Sequence, residues 1–430
     1  MRKVCFLTAT IVLFATLSDV SAQPTLVANG ARIESRIKAL GLIGDTALGI
    51  RKRVAYSTGD MAARKYITGL MQSAGLSVRV DAGGNIIGSR KGTNASLHPI
   101  VLGSHTDAVP NGGIYDGDLG VIGAIECIEL LNENHWVTDH PLEVIDFVDE
   151  EGGLTGSEAM IGGLTAARLE AITNSGKTIR QGIADLGGDP DHLEKAVRHK
   201  GDIEAYLELH IEQGGNLERE KRDIGVVEGI VGLDNWTIVV TGTTNHAGTT
   251  PMPGRKDALV TASKLVVLVN EIALRIPGRQ VATVGQMTVF PGASNVIPGK
   301  VLMSLDVRDL SRQKLDSVFG LIRQAADSLA GSTGTTISFT RKTAADPAMA
   351  DKKIRATIAL AAEESKLSTL SLPSGAGHDA QDMARIGPMG MIFVPSKGGI
   401  SHTPDEYTAP QDMANGATVL FRTMIKLDKN

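Results

Sequence analysis

Cysteine, aromatic residues and blocks of basic charge are all scarce in this 430-residue sequence. Aromatic residues make up only 3% of the chain, which argues against a surface that stacks on nucleic-acid bases. The 43 basic and 48 acidic residues give a formal charge of -5 without any basic block, so nucleic acid is not an expected partner. With 42% hydrophobic and 21% charged residues, the composition is that of a soluble globular protein.

One segment, at the amino terminus, departs from this composition. A positive start, Met1 to Lys3, is followed by an apolar run, Val4 to Leu17, and by the small residues Val20-Ser-Ala. This arrangement is typical of a secretory signal peptide and predicts cleavage after Ala22. We therefore expect a periplasmic or secreted protein with no membrane attachment after cleavage. An uncleaved membrane anchor is the alternative, although the run is short for a membrane span.

The two cysteines cannot form a disulfide in the mature chain. Cys5 lies inside the predicted signal peptide, which leaves only Cys127 after cleavage. Cys127 lies in an apolar segment with helical character, which favours a small core residue over a catalytic nucleophile.

Length and element order predict two domains. A chain of this length exceeds one ordinary hydrophobic core. Predicted strands and helices alternate between residues 31 and 148, which indicates a doubly wound α/β domain with a mixed, mostly parallel sheet covered on both faces. Residues 164–200 are expected to be mainly helical and polar.

A different pattern begins at Asp234 and predicts an inserted domain. Strand, helix, strand, strand, helix and strand follow one another, the βαββαβ order of ferredoxin-like α+β folds. These elements are expected at 236–240, 257–274, 281–289, 301–307, 314–329 and 335–340. The sequence thus predicts a discontinuous catalytic domain, residues 23–228 and 344–430, and an insertion at residues 229–343.

The loop Gly103 to Gly120 is the first candidate for chemistry. It follows a predicted buried strand, at the place where an α/β sheet usually keeps its active site. His105 and Asp107 share a face there, and a carboxylate is the usual partner for the second nitrogen of a metal-bound imidazole. Asp116 is available as a further ligand. Taken alone, a histidine and an aspartate two residues apart are more often incidental.

Further candidates lie at the ends of other predicted strands. Glu150 and Glu151 could divide metal binding and proton transfer between them, but an exposed acidic strand end would explain the pair equally well. His210 and His402 each follow an apolar segment, and either alone would more often be structural. Together with His105, Asp116 and Glu151, these histidines form a donor set that suits zinc, manganese or a similar divalent ion.

Six motifs follow one another along the chain. They are Ser104-His-Thr-Asp with Gly-Gly-Ile-Tyr-Asp-Gly, Asp149-Glu-Glu-Gly, Glu208-Leu-His-Ile-Glu-Gln-Gly, Asn245-His-Ala-Gly-Thr-Thr-Pro-Met, Gly375-Ala-Gly-His-Asp-Ala-Gln and Val394-Pro-Ser-Lys-Gly-Gly-Ile-Ser-His. Their order is typical of the M20 metallohydrolases, which the sequence closely resembles from about residue 31 to the carboxyl terminus. Several are similar to those of the hydantoinase/carbamoylase group, which includes N-carbamoyl-L-amino-acid hydrolase, β-ureidopropionase and allantoate amidohydrolase.

The resemblance implies two divalent cations per subunit, zinc or manganese, with cobalt or nickel as further candidates. Their ligands would be His105 and His210 for one ion, Glu151 and His402 for the other, and Asp116 as the bridge. Glu150 would be the general base on the water that bridges the ions, and Asp107 would orient His105. In M20 peptidases the position of His210 is generally a carboxylate, so the histidine favours the carbamoylase branch.

The resemblance also gives the inserted domain the role of a lid and dimerisation domain in a homodimer. His246 would reach into the site of a neighbouring subunit and stabilise the oxyanion. Asn295 and Arg308 would bind the substrate carboxylate, and Gln213 the polar end of the substrate. The chain departs from the family pattern at Leu154-Thr155, where an Arg-Phe pair is common, and at Gly215, where a proline is common.

These features predict a dinuclear metal amidohydrolase that cleaves the carbamoyl amide of a small N-carbamoyl amino acid or related ureido acid. The first alternative is an M20 aminopeptidase or aminoacylase acting on dipeptides or N-acyl amino acids. The second is a non-catalytic extracytoplasmic binding protein that kept the fold.

Overall fold

The computed structural model describes residues 26–44 and 53–429. The predicted signal peptide, residues 1–22, and Cys5 lie outside the described residues. Within the two described ranges, no helix is both long enough and apolar enough to cross a membrane. Cys127 is a buried free thiol, as expected for a core residue.

The described residues form twelve α-helices and sixteen strands, numbered here in chain order. The helices are α1 Gly30–Gly41, α2 Thr58–Ser73, α3 Asp118–Glu133, α4 Thr155–Met160, α5 Ala166–Leu169, α6 Ile179–Asp185, α7 Asn216–Glu220, α8 Ala258–Arg275, α9 Arg312–Thr333, α10 Lys352–Glu364, α11 Asp379–Met383 and α12 Pro410–Asp428. The strands are β1 Ser77–Val80, β2 Ile86–Arg90, β3 Ile100–His105, β4 Leu142–Phe147, β5 Ala205–Ile211, β6 Ile224–Ile230, β7 Gly232–Thr241, β8 Asn245–His246, β9 Val281–Thr283, β10 Met287–Phe290, β11 Val296–Ile297, β12 Lys300–Asp309, β13 Thr336–Ala345, β14 Ala348–Met349, β15 Thr369–Ser374 and β16 Met389–Val394.

Nine strands form a mixed sheet in the order β1-β2-β4-β3-β5-β16-β6-β14, with β15 beside β6. The central strands β4, β3, β5 and β16 are parallel to one another. The pairings towards both edges, β1 with β2, β2 with β4, β16 with β6 and β6 with β14, are antiparallel. The mixed α/β sheet is confirmed, but the sheet is parallel only at its centre and in the β6–β15 pair.

Helices cover both faces of this sheet. α1, α3, α10 and α12 pack on one face and bury the larger of two apolar clusters. α4 and α11 pack on the other face, where the second cluster lies. Because successive side chains of a strand point to opposite faces, each central strand contributes to both clusters.

The prediction of a mainly helical segment at residues 164–200 is wrong. Only α5, α6 and a 3₁₀ turn, Leu193–Lys195, are helical there. Gly176 and Gly187 both have positive φ, a conformation that ends a right-handed helix. The apolar residues of the segment form a small cluster around the buried ring of Tyr56, which fixes the loops without a long helix.

A second sheet is formed by residues 232–345. Its strands are antiparallel, in the order β10-β12-β7-β13 with β9 also beside β12, and α8 and α9 cover one face. The single strand predicted at 281–289 is divided into β9 and β10. The hydroxyl of Ser304 accepts hydrogen bonds from the backbone N–H groups of Gly285 and Gln286, in place of a strand partner.

Candidate metal centre

Four central strands end at the same edge of the first sheet because they are parallel. His105 is the last residue of β3, and His210 is the penultimate residue of β5. Glu150 and Glu151 lie in the turn after β4, and the loop after β16 carries His402. The topology therefore gathers residues from four distant parts of the chain.

The alternation of β5 explains how an imidazole reaches this edge. Tyr206, Glu208 and His210 lie on one face of the strand and are buried, because side chains repeat with a period of two. Leu207 and Leu209 point to the opposite face and belong to the larger apolar cluster. The packing of the leucines fixes the face on which His210 lies.

Asp116 lies between three imidazoles. Its Oδ1 is 3.1 Å from Nε2 of His210 and 3.6 Å from Nε2 of His105. Its Oδ2 is 3.3 Å from Nε2 of His402, which is itself 3.6 Å from Oε2 of Glu151. In each of two groups, potential ligand atoms lie within 4.8 Å of one another, and both groups contain Asp116. Imidazole nitrogen with carboxylate oxygen is a donor set that fits zinc, manganese and related divalent ions.

The two buried histidines present the same nitrogen to Asp116. Nδ1 of His105 lies 3.0 Å from the backbone oxygen of Asp107, and Nδ1 of His210 lies 2.9 Å from the backbone oxygen of Ile211. In the neutral ring, a proton on Nδ1 for these bonds leaves the lone pair on Nε2, the nitrogen that can bind a metal. At His210 this nitrogen accepts the backbone N–H of Gly117 at 3.3 Å. Gly117 lies so close to the His105 ring that a Cβ there would collide with it, and its φ is 66°.

Asp107 contacts His105 through its backbone more closely than through its carboxylate. Its Oδ1 is 3.7 Å from Nδ1 of His105, and the backbone carbonyl of the same residue is closer. The carboxylate instead accepts hydrogen bonds from the backbone N–H groups of Glu150 at 3.2 Å and Glu151 at 3.3 Å. Asp107 therefore holds the turn that carries both glutamates, and its main chain orients His105.

Glu150 and Asp116 differ in their affinity for a proton. Burial raises the pKa of Glu150 well above its usual range, although His105 opposes the shift. Burial also acts to raise the pKa of Asp116, but the histidines around it, His210 foremost, hold that pKa well below its usual range. Oε2 of Glu150 is 3.7 Å from Nε2 of His105. The site thus pairs an anionic carboxylate with one that can hold a proton.

Gln213 connects the cluster to an open cavity. Its Nε2 donates to Oδ2 of Asp116 at 2.6 Å, while its Oε1 is buried without a hydrogen-bond partner. Its φ of 54° is unusual for a residue other than glycine, and His402 shares this feature with a φ of 57°. A cavity of about 490 Å³ adjoins both side chains and also touches Ser401 and Gly375. A cation or a substrate N–H would satisfy this buried, unpartnered oxygen.

Arg308 lies on β12, and its side chain reaches from the second sheet to the wall of this cavity. Its Nε and Nη2 donate to the carboxylate of Asp306, at 2.8 and 3.2 Å. Its Nη1 donates to the backbone oxygen of Gly375 at 2.7 Å. Asp306 thereby fixes one edge of the guanidinium.

His246 and Asn295 lie together but apart from the cluster. His246 belongs to a two-stranded ribbon, β8 with β11, in which it is opposite Val296, and Asn295 lies in the turn just before β11. Both residues are exposed. Nδ1 of His246 accepts hydrogen bonds from the N–H groups of Gly248 and Thr249, so a neutral ring carries its proton on Nε2. No hydrogen bond or ion pair among the described residues joins His246 to the Asp116 cluster.

The sequence did not identify several residues around the centre. His378 is buried with its ring centroid 4.5 Å from that of His210, and Glu208 and His378 form a third group of potential ligands with His210. Glu406 and Ser401 contact Asp116. His378 lies in one of the six family motifs, but the resemblance gave it no role, and nothing in the pattern around Glu406 distinguishes it from a surface acid.

Comparison with known proteins agrees with the motifs. The model of Peptidase family M20/M25/M40 matches residues 101–426. The N-carbamoyl-L-amino acid amidohydrolase of Geobacillus stearothermophilus is 38% identical over 403 residues, which cover 93% of this chain and 98% of that protein. The ureidoglycolate hydrolase of Oryza sativa subsp. japonica is also 38% identical, over 92% of this chain and 84% of that protein.

A solved structure of a hydantoinase/carbamoylase family amidase from Burkholderia multivorans shares the fold, with a TM-score of 0.87 and 35% identity over 95% of this chain and 100% of that one. The family resemblance inferred from the motifs is thereby confirmed. The chain belongs to peptidase family M20/M25/M40, a family of metal-dependent hydrolases, and within it to the hydantoinase/carbamoylase group.

Proposed function

We propose that this protein is a metal-dependent amidohydrolase that cleaves the carbamoyl amide of N-carbamoyl amino acids or of related ureido acids. One observation carries the proposal: the two oxygens of Asp116 face two separate sets of ligand atoms, with Glu150 beside them. The carbamoyl and ureido substrates named for the relatives support the substrate class.

The donor set supports two cations. His105 and His210 would hold the first, Glu151 and His402 the second, and Asp116 would give one oxygen to each. Zinc or manganese fits this mixture best, with cobalt or nickel also acceptable. When bound, the cations would polarise the carbamoyl carbonyl and lower the pKa of water.

Glu150 would move the protons of the reaction. The oxygen of a water molecule forms a bond to the carbamoyl carbon while Glu150 takes a proton from that water. As the carbon–nitrogen bond breaks, Glu150 returns the proton to the leaving nitrogen. The carbamate that remains decomposes, so that ammonia, carbon dioxide and the free amine are the products. Burial raises the pKa of Glu150, which helps it to hold the proton between these two steps, and the nearby cations would favour the ionised form that first takes it.

Three residues would fix the rest of the substrate. Arg308 and Asn295 would bind its carboxylate, for which a guanidinium offers two parallel donors. Gln213, at the cavity beside His402, would bind its polar end. Asp306 and the backbone oxygen of Gly375 together hold the Arg308 guanidinium at the cavity wall. This supports the role, because it fixes the direction of the N–H groups that remain for a substrate.

The inserted segment, residues 229–343, would be a ferredoxin-like lid and dimerisation domain, and residues 23–228 with 344–430 the catalytic domain. The antiparallel strand order, with two helices on one face, supports the ferredoxin-like assignment. An exposed apolar stripe supports a homodimer, since such patches mark contact surfaces. It consists of Val260, Val267 and Leu274 on α8 and of Val281 and Met287 on the strands of the sheet edge.

In such a dimer His246 would act in the site of the neighbouring subunit. Its Nε2–H is free to donate to the oxyanion of the tetrahedral intermediate, because Nδ1 is already occupied as an acceptor. His246 is exposed in the single chain, which is consistent with a role in the site of a second subunit.

The loop that presents His246 is built around Arg255, which gives a testable prediction. The guanidinium donates to three backbone carbonyls of that loop, those of Ala247, Thr250 and Pro251. We expect Arg255→Met to lower kcat and to change KM and metal content little. The loss in kcat should be smaller than the factor of about 10²–10³ that follows from removing an oxyanion donor itself. Steady-state kinetics measures the effect. Arg255→Lys should recover part of the loss. Arg180→Met, at a partly exposed arginine that pairs with Glu170 and Asp191, should leave kcat unchanged. Unchanged kcat in Arg255→Met would contradict the role.

Cation binding should release protons near neutral pH. The hydrogen bond to Asp116 raises the pKa of His402 to about 9, so this imidazole is protonated at pH 7 and must lose its proton to bind a cation. We therefore expect cation affinity to rise as the pH increases towards about 9 and to level off above it. Titration calorimetry in two buffers of different ionisation enthalpy counts the protons released. Equal apparent binding enthalpies in both buffers would show that no proton leaves.

A cleavable signal over residues 1–22 would direct the enzyme to the periplasm or outside the cell. The charged start, apolar run and small residues before the expected cleavage point support this location. The intact mass of the protein recovered from the extracytoplasmic fraction is the test: a chain beginning at Gln23 is expected, and a full-length chain retained in the cytosol would refute it.

A hydrolysis screen tests the function. Metal-reconstituted protein is offered carbamoyl-α-amino acids, carbamoyl-β-alanine, allantoate, ureidoglycolate, dipeptides and N-acetyl amino acids, with ammonia and free amine measured separately. Release of both products from a carbamoyl or ureido acid is the expected result. Activity confined to dipeptides or N-acetyl amino acids would instead indicate an aminopeptidase or aminoacylase, and binding without turnover a non-catalytic binding protein.

A further inference from the structure

A buried glutamate fixes the loop that carries Asp116. Glu406 lies four residues after His402, and its side chain is only 4% exposed. Its Oε1 accepts hydrogen bonds from the backbone N–H groups of Tyr115 at 2.9 Å and Asp116 at 3.1 Å. Its Oε2 accepts one from the hydroxyl of Ser401 at 2.8 Å. One carboxylate thus connects the Asp116 loop to the segment just before His402.

The hydroxyl group of Ser401 lies between two carboxylates and has one hydrogen to donate. Its Oγ is 2.8 Å from Oε2 of Glu406 and 3.0 Å from Oδ2 of Asp116. A hydroxyl has a single O–H donor, so a full hydrogen bond to one carboxylate weakens the bond to the other. Oδ2 of Asp116 is also the oxygen that faces Glu151 and His402. Gln213 already donates to this oxygen at 2.6 Å, so a hydroxyl hydrogen directed at it as well would compete with a cation for the lone pair that remains.

We propose that Glu406 is a positioning residue for the second cation, the one assigned to Glu151 and His402. It holds the backbone of Asp116 in place and draws the Ser401 proton to itself. Oδ2 of Asp116 then accepts only the Gln213 hydrogen bond and keeps a second lone pair for the cation. The inference rests on the proposed dinuclear centre. It also explains why a carboxylate is buried here: two backbone N–H groups and a hydroxyl satisfy its oxygens.

Glutamine at this position keeps the shape but reverses one hydrogen bond. Its carbonyl oxygen can still accept the N–H groups of Tyr115 and Asp116, so its NH₂ group must face Ser401. The Ser401 oxygen then becomes an acceptor, and its proton turns to Oδ2 of Asp116. Glu406→Gln should therefore weaken the second cation selectively. Removing the competing hydroxyl as well, in Glu406→Gln with Ser401→Ala, should restore part of the affinity.

Titration calorimetry with manganese or zinc, together with metal content after dialysis, measures both binding steps. In Glu406→Gln we expect the first step unchanged and the second weakened about 10–100-fold, the usual effect of losing a residue that supports a metal ligand. The double variant should bind the second ion more tightly than Glu406→Gln alone. Asp405→Asn is the matched control, because it removes one carboxylate charge from the exposed neighbouring residue, and it should resemble the wild type.

Wild-type affinity for both ions in Glu406→Gln would overturn the proposal, and so would equal weakening of both steps. A double variant no better than Glu406→Gln would refute the role of the Ser401 proton. If Glu406→Gln does not fold, Ser401→Ala alone tests the proposal. The proposal requires this variant to bind the second cation as tightly as the wild type or more tightly. A single ion in the wild type would instead refute the dinuclear centre, which distinguishes the two failures.

Discussion

The Glu150→Gln variant is expected to keep both cations and to lose hydrolysis of carbamoyl substrates by about 10²–10⁴-fold, the range associated with a positioned general base. Glutamine has nearly the same shape but cannot accept and return a proton. The side chain of Glu150 belongs to neither of the two groups of ligand atoms that share Asp116, so metal content should not change. Rate measurement and elemental analysis on one preparation test both halves of the prediction.

Glu151→Gln should affect metal content instead of turnover alone, because the side chain of Glu151 is placed differently from that of Glu150. The carboxylate of Glu151 faces His402 and belongs to the second group of ligand atoms. We expect this variant to lose about one ion per chain. If Glu150→Gln lost metal, or kept near-wild-type turnover, Glu150 would have another role.

The His246→Ala variant is expected to lose about 10²–10³-fold in kcat, the usual cost of removing one donor to an oxyanion. Metal content and substrate KM should change little, because His246 makes no contact with the cluster in its own described chain. Steady-state kinetics and elemental analysis measure these quantities.

Mixing this variant with Glu150→Gln tests whether His246 acts between subunits. In a hybrid dimer, one site would combine an intact Glu150 from one chain with an intact His246 from the other. After subunit exchange, the mixture should therefore be far more active than either variant. Native mass spectrometry confirms that hybrids have formed; hybrids without recovered activity would place His246 in its own subunit or outside catalysis.

The positions of the strand-end residues could be anticipated from the sequence. An apolar run followed by a histidine or paired glutamates predicts where a side chain leaves the sheet, and His105, Glu150, Glu151 and His210 do lie at one edge. The pairing of strands that brings His402 beside Asp116 depends on long-range contacts, which no local pattern reveals. The family resemblance, rather than the spacing of the residues, supplied the assignment of ligands to each ion.

Other features depended on single contacts that leave no trace in sequence periodicity. The backbone carbonyl of Asp107 bonds His105 where a carboxylate was expected, because the turn with Glu150 and Glu151 takes up the side chain. In the sequence, Glu406 resembles any acidic residue of a polar loop. Only the structure shows that its carboxylate accepts two backbone N–H groups. The segment 164–200 contains enough polar, helix-forming residues to suggest helices, but its turns are set by glycines and by packing on Tyr56.

Anomalous diffraction from a crystal of the manganese- or zinc-loaded enzyme is the most direct measurement of the central claim. Two peaks are predicted, one contacted by His105 and His210 and the other by Glu151 and His402, with a different oxygen of Asp116 directed at each. A single peak, or peaks that Asp116 does not join, would contradict the account.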